Sequence, residues 1–74
     1  MPSSFKFDKA GNVFADGRRI GRCVFTGRRW EGIPEGQAEP LRGRFMEVWS
    51  PRTFGTREET AEALFADWCE RREK

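Results

Sequence analysis

The stretch GRRIGRCVFTGRRW, residues 17–30, carries five arginines and no acid. A guanidinium forks onto phosphate, carboxylate or guanine edges, whereas an ammonium acts as a point charge. Arg18, Arg22 and Arg29, with Arg19 and Arg28 beside them, are therefore candidate nucleic-acid contacts. The competing role for the same residues is solvated charge on the turns and edges of a small sheet. Trp30 and Trp49 are candidate anchors for a protein partner, because Trp and Arg dominate interface hot spots; burial in the core competes with that role. Acid–base chemistry is poorly supplied, with no His and no Tyr in the chain. Asp8, Asp16 and Asp67 fit turn and helix-surface positions, and the serines lie in the N-terminal tail or before a proline. No glycine-rich phosphate loop with a GK[ST] ending exists. Cys23 and Cys69 stand 46 positions apart without a His to complete a zinc site. They read as reduced thiols serving as small buried hydrophobes, a single disulfide being the alternative. The chain reads as a non-enzyme, with no cofactor, metal or small-molecule substrate indicated.

These side chains must be positioned by a domain of 74 residues, near the lower limit at which a core alone holds a fold. Seven Phe and three Trp supply that core, each able to bury about 150–250 Å². Asp16-Gly17 is a strong signal for a two-residue primed hairpin turn, and Thr26-Gly27 a weaker one. With FKF ahead of them, they predict strands near 5–7, 12–15, 18–25 and 28–33. Gly21 in mid-strand suggests a bulge or the close approach of another element. The Pro- and Gly-rich segment 34–43 reads as a loop, and RFMEVW, 44–49, as a further strand stopped by Ser50-Pro51.

The helix carries the most signals. Thr56 with Glu59 forms a capping box, and Arg57-Glu58-Glu59 places acids in the positive first turn. Ala61, Leu64, Phe65, Trp68 and Cys69 form one apolar stripe, and Arg71, Arg72 and Lys74 suit the negative C-terminal end. A helix over about 57–72 is expected. The fold class is α+β: a small antiparallel meander of three to five strands packed on one C-terminal helix in a single domain.

Two-residue turns at both hairpin signals pair Phe25 with Arg28, Cys23 with Trp30, Ala15 with Arg18 and Val13 with Ile20. One face then holds Phe14, Cys23, Phe25 and Trp30, with Arg19 and Arg28 at its margins, and receives the helix stripe. The other holds Val13, Ala15, Ile20 and Val24, with Arg18, Arg22 and Arg29 in line and Glu31 beside Arg22. A one-residue slip exchanges the faces.

A three-stranded antiparallel sheet followed by a capped helix resembles the arm-type DNA-binding domain of tyrosine integrases. The local match is Phe54, Thr56, Glu59, Ala63 and Leu64, similar to the step from last strand into helix in that family; Thr60 stands where the family usually has Ala. The resemblance covers about half the chain and implies that the outer face of the sheet enters a DNA groove, which gives the work to Arg18, Arg22 and Arg29.

Charge points the same way. Residues 1–55 hold ten Lys and Arg against six acids, and residues 56–74 hold four against six, for a net +2. No run approaches the ~20 apolar residues of a membrane span, and MPSSFKFDKAG lacks the apolar core of a secretion signal, so a cytoplasmic location away from membranes is expected. The expected function is DNA or other nucleic-acid binding through the arginine-bearing sheet face. The alternative partner is a protein: the chain suits a small inhibitor of a host macromolecule, of the kind phages direct against host defences, occupying an acidic groove through Trp30 or Trp49.

Overall fold

The computed structural model describes residues 5–72. In chain order the elements are β1 (Phe5–Phe7), β2 (Asn12–Ala15), β3 (Arg18–Phe25), β4 (Trp30–Pro34), β5 (Arg42–Phe45), β6 (Val48–Pro51) and α1 (Arg57–Arg72). Strands β1-β2-β3-β4 form an antiparallel meander, and β5-β6 form a separate two-stranded sheet. This is the expected α+β class; Lys74, read as a helix-end charge, lies outside the described residues.

Local chemistry explains the turns. The Asp8 carboxylate accepts hydrogen bonds from Ala10 N (3.0 Å), Asn12 N (2.8 Å) and Asn12 Nδ2 (2.8 Å), which closes the β1–β2 connection. The Asn12 side chain, above all, holds the Asp8 pKa below its ordinary value. Asp16 (φ 51°) and Gly17 (φ 83°) both take the left-handed conformation that the β2–β3 hairpin requires.

The second turn falls one residue later than the sequence suggests. The chain reverses over Gly27 and Arg28, not Thr26 and Gly27: Thr26 N donates to Arg29 O at 2.8 Å and Phe25 pairs with Trp30. β-Branched Thr26 resists a positive φ, whereas Gly27, at φ 103°, supplies it from the first central position. Trp30 therefore moves from opposite Cys23 to opposite Phe25, where the two rings lie 5.0 Å apart.

A bulge changes the faces. Phe14 pairs with Arg19 but Val13 pairs with Gly21, so Ile20 is the extra residue. Val13, Ala15, Ile20 and Cys23 consequently share the helix side and are buried, while Phe14 turns to the outer side. The expected aromatic face is thus replaced by a small aliphatic one near the bulge. Its benefit is close approach: a Cβ at Gly21 would lie 3.0 Å from Leu64 Cδ2, and one at Gly32 would lie 3.0 Å from both Leu64 Cγ and Thr60 Cγ2. Leu64 sits in the space two glycines leave.

Helix α1 begins as its sequence dictates. Thr56 Oγ1 accepts from Glu59 N at 3.1 Å, and Glu59 Oε2 accepts from Thr56 N at 3.2 Å and Gly55 N at 3.1 Å, a closed capping box. Thr60, Ala61 and Leu64 are fully buried. Phe65 and Trp68 pack partly buried beside them, Phe65 edge-on to Phe5 at 6.0 Å. The buried Thr60 hydroxyl is satisfied by donating to Thr56 O at 2.9 Å. No helix of the described residues is long and apolar enough to cross a membrane.

Candidate functional site

The arginines separate once the register is fixed. Arg18 pairs with Ala15 and so lies on the helix side of the sheet, at its margin. Arg19, paired with Phe14, takes its place on the outer side, with Arg22 and, across the β3–β4 hairpin, Arg29. The expected line of Arg18, Arg22 and Arg29 is therefore not formed. Two of the three outer arginines are engaged within the fold: Arg19 Nη1 lies 2.9 Å from Glu35 Oε2 and its Nε donates to Asn12 Oδ1, while Arg29 Nε donates to Thr53 Oγ1 at 2.8 Å. Arg28 stands exposed at the turn and Arg22 exposed on the outer face.

The two tryptophans separate as well. Trp30 is half-buried against the core. Trp49 remains 59% exposed.

Trp49 stands on a feature the sequence does not announce. The expected single strand 44–49 is a hairpin: β5 and β6 pair Arg42–Pro51, Gly43–Ser50, Arg44–Trp49 and Phe45–Val48. Met46 (φ 50°) and Glu47 (φ 64°) form the two-residue turn, both left-handed as a type I′ geometry requires. Neither residue is a turn former, and each bears roughly 1–2 kcal/mol of conformational cost there.

The base of this hairpin is fastened to the free edge of β4. Leu41 N donates to Gly32 O at 2.7 Å, Arg52 N to Leu41 O at 2.8 Å, and Trp30 and Phe54 exchange two backbone bonds of 2.9 and 2.8 Å. Arg52 covers Gly43, and its guanidinium lies 5.2 Å from the centre of the Phe54 ring. Beyond that base the two strands pair only with each other. The result leaves Met46 81%, Val48 63% and Trp49 59% exposed.

Charge and hydrogen bonding can be placed on the hairpin. Arg42, Arg44, Trp49 and Pro51 share one face by register. The two-residue turn makes Phe45–Val48 the closing hydrogen-bonded pair, and the bond from Arg52 N to Leu41 O keeps the same alternation, which turns the N–H and C=O groups of Arg42 and Arg44 outward along β5. On β6 the outward groups belong to Trp49 and to Pro51, which has no N–H. Glu39 reaches Arg42 loosely, at 3.8 Å.

Other features are chemically quieter. A cleft of about 270 Å³ is lined by Pro34, Gln37, Glu39, Leu41, Asp67 and Arg71. Its charges are already matched, Arg71 Nε lying 2.7 Å from Asp67 Oδ2. Cys23 and Cys69 are free thiols; burial pushes the Cys23 pKa up to about 11. Among the described residues no three of His, Cys, Asp and Glu gather as a metal-binding group. No family model, curated protein or solved structure matches the chain.

Proposed function

We propose that this chain is a small non-enzymatic binding protein that docks its β5–β6 hairpin into an acidic groove of a protein partner, in the manner of an inhibitor. The observation that carries this is the exposure of Met46, Val48 and Trp49 on a hairpin whose strands pair with nothing else. The three lie within four residues at the hairpin tip, Val48 and Trp49 on its opposite faces, and large exposed apolar side chains gathered on one projecting element mark an interaction site. Aromatic residues, Met and Arg are also the types enriched in interfaces. The left-handed Met46 and Glu47 add a second support, since unrelieved backbone strain concentrates where function needs the residue. Arg42, Arg44 and Arg52 outnumber Glu47 along the same segment, which selects for an acidic surface.

The test is a photo-crosslinking residue placed at Met46, or for comparison at Arg22, followed by illumination in cell extract and mass spectrometry. A discrete protein adduct from position 46 and none from position 22 is expected. Adducts to nucleic acid, or equal yields at both positions, would refute hairpin docking.

A second reading is supported by Lys6, Arg19, Arg22 and Arg29 on the outer face of the meander, the corrected form of the arginine line. It assigns that face to a nucleic-acid backbone, as the integrase resemblance implies. Anisotropy with duplex and single-stranded probes from about 50 to 200 mM salt tests it, each lost phosphate contact lowering the log–log salt slope by about 0.9. Arg22→Ala should weaken such binding; absence of binding at the low-salt end rejects it.

A further inference from the structure

We infer that the partner is recognised by strand addition: an extended acidic segment adds to the free edge of β5, with carboxylates at alternate positions facing Arg42 and Arg44. This deepens the hairpin-docking proposal and rests on it.

The two edges of the hairpin are unequal. The β5 edge offers outward N–H and C=O groups from both Arg42 and Arg44. The β6 edge offers one N–H, that of Trp49, before Pro51 ends the donor row. A strand added to β5 obtains a complete ladder over its first two register positions, and one added to β6 does not. Main-chain bonds of this kind supply affinity, and side chains at every second residue supply specificity.

The side chains then select the occupant. Arg42 and Arg44 lie on one face, two residues apart, so they meet positions i and i+2 of an added strand at Cβ separations of about 4.5–5.5 Å. Opposite charge at those positions stabilises the pair, and like charge opposes it. A second copy of this chain pairing through β5 would lay arginine against arginine, which disfavours self-association by this edge. Arg44 has no acidic partner among the described residues, whereas Arg42 is loosely held by Glu39 at 3.8 Å. Arg44 is therefore the stronger determinant. Trp49 stands directly across from Arg44 on the same face, one strand further from the added segment.

The unmodified full chain tests this with three fluorescein-labelled, capped decapeptides. One alternates Thr and Glu; the second carries the same residues in two blocks; the third is the alternating peptide N-methylated at its glutamates, which removes the donors facing β5. Anisotropy should show the alternating peptide binding at least tenfold more tightly than either control. Arg44→Glu should cost at least tenfold, Lys9→Glu, an exposed turn residue away from the hairpin, less than twofold, and the amides of Arg42 and Arg44 should gain hydrogen-exchange protection in the complex. Both positions are exposed, so an unchanged circular dichroism spectrum verifies that the variants fold. Equal binding of the block or N-methylated peptide overturns strand addition, as does absence of binding below millimolar concentration. Tighter, Arg44-dependent binding of single-stranded oligo-dT also overturns it and transfers the hairpin to nucleic acid. If position 46 crosslinks a protein while the peptides fail, strand addition alone falls. If position 46 also yields no protein adduct, hairpin docking falls with it.

Discussion

Two glycines measure how closely the helix and the strands pack, and a third, on the β5–β6 hairpin, serves as the comparison. An alanine Cβ at Gly21 would meet the backbone oxygen of Ile33 at 2.5 Å and Leu64 Cδ2 at 3.0 Å. A backbone atom cannot swing aside, so the strands must open by about 0.9 Å to restore ordinary contact at 3.4 Å. At Gly32 the obstacles are Leu64 Cγ and Thr60 Cγ2, both at 3.0 Å on fully buried side chains that need move only a few tenths of an ångström. At Gly43 the nearest atom is Arg52 Cγ at 2.8 Å, on an exposed and flexible side chain. Overpacking costs about 1–3 kcal/mol, and the loss of unfolded-state freedom returns about 0.4–1 kcal/mol. Net destabilisation should then be about 2 kcal/mol for Gly21→Ala, about 1 for Gly32→Ala and about 0 for Gly43→Ala. For a domain of this size, the first lowers Tm by roughly 8–16 °C. Urea and thermal unfolding followed by tryptophan fluorescence provide the assay. A Gly21→Ala variant as stable as the parent would refute the tight packing of β3 against β4 and Leu64 at the bulge, and a Gly32→Ala variant more stable than the parent would refute the close approach of α1.

Trp49→Ala should change unfolding free energy by no more than about 0.5 kcal/mol, as for an exposed residue, whereas removing a core tryptophan costs about 3–5 kcal/mol; chemical denaturation distinguishes them. Replacing Met46-Glu47 by Asn-Gly should stabilise the hairpin by roughly 1 kcal/mol, since that pair adopts the turn without strain. The Cys23 thiol is raised from its ordinary 9.0 to about 11, so the folded state favours the protonated form. Its contribution to stability is complete below the unfolded pKa and is lost as pH rises from 9.0 through about 11. Unfolding curves across that window should fall more steeply for the parent than for Cys23→Ala, and equal slopes would contradict the assignment.

Features set by neighbouring residues were legible in the sequence. Asp16-Gly17 and the Thr56–Glu59 box each act within four positions, and both appear as the sequence implies. The helix stripe was legible because its period is local, and Gly21 was marked correctly as a bulge and a close approach. What escaped depends on longer range or weaker signals. Thr26-Gly27 and Gly27-Arg28 are adjacent candidates for one turn, and choosing between them shifts the partners of Trp30 by two residues. That shift preserves which face each residue takes, so Arg22 and Arg29 kept their side. The bulge at Ile20 does not preserve it, and Arg18 exchanged places with Arg19. Met46-Glu47 carries no turn propensity, so the hairpin that leaves Trp49 uncovered read as one strand. Its absence from the local code coincides with the most exposed large apolar side chains among the described residues.

The most direct measurement of hairpin docking is the yield of protein adduct from a photo-crosslinker at position 46 relative to one at position 22. Docking through β5–β6 requires an excess of at least tenfold at position 46, concentrated in one partner species and abolished by Trp49→Ala. A ratio near one, or adducts made chiefly of nucleic acid, would contradict it.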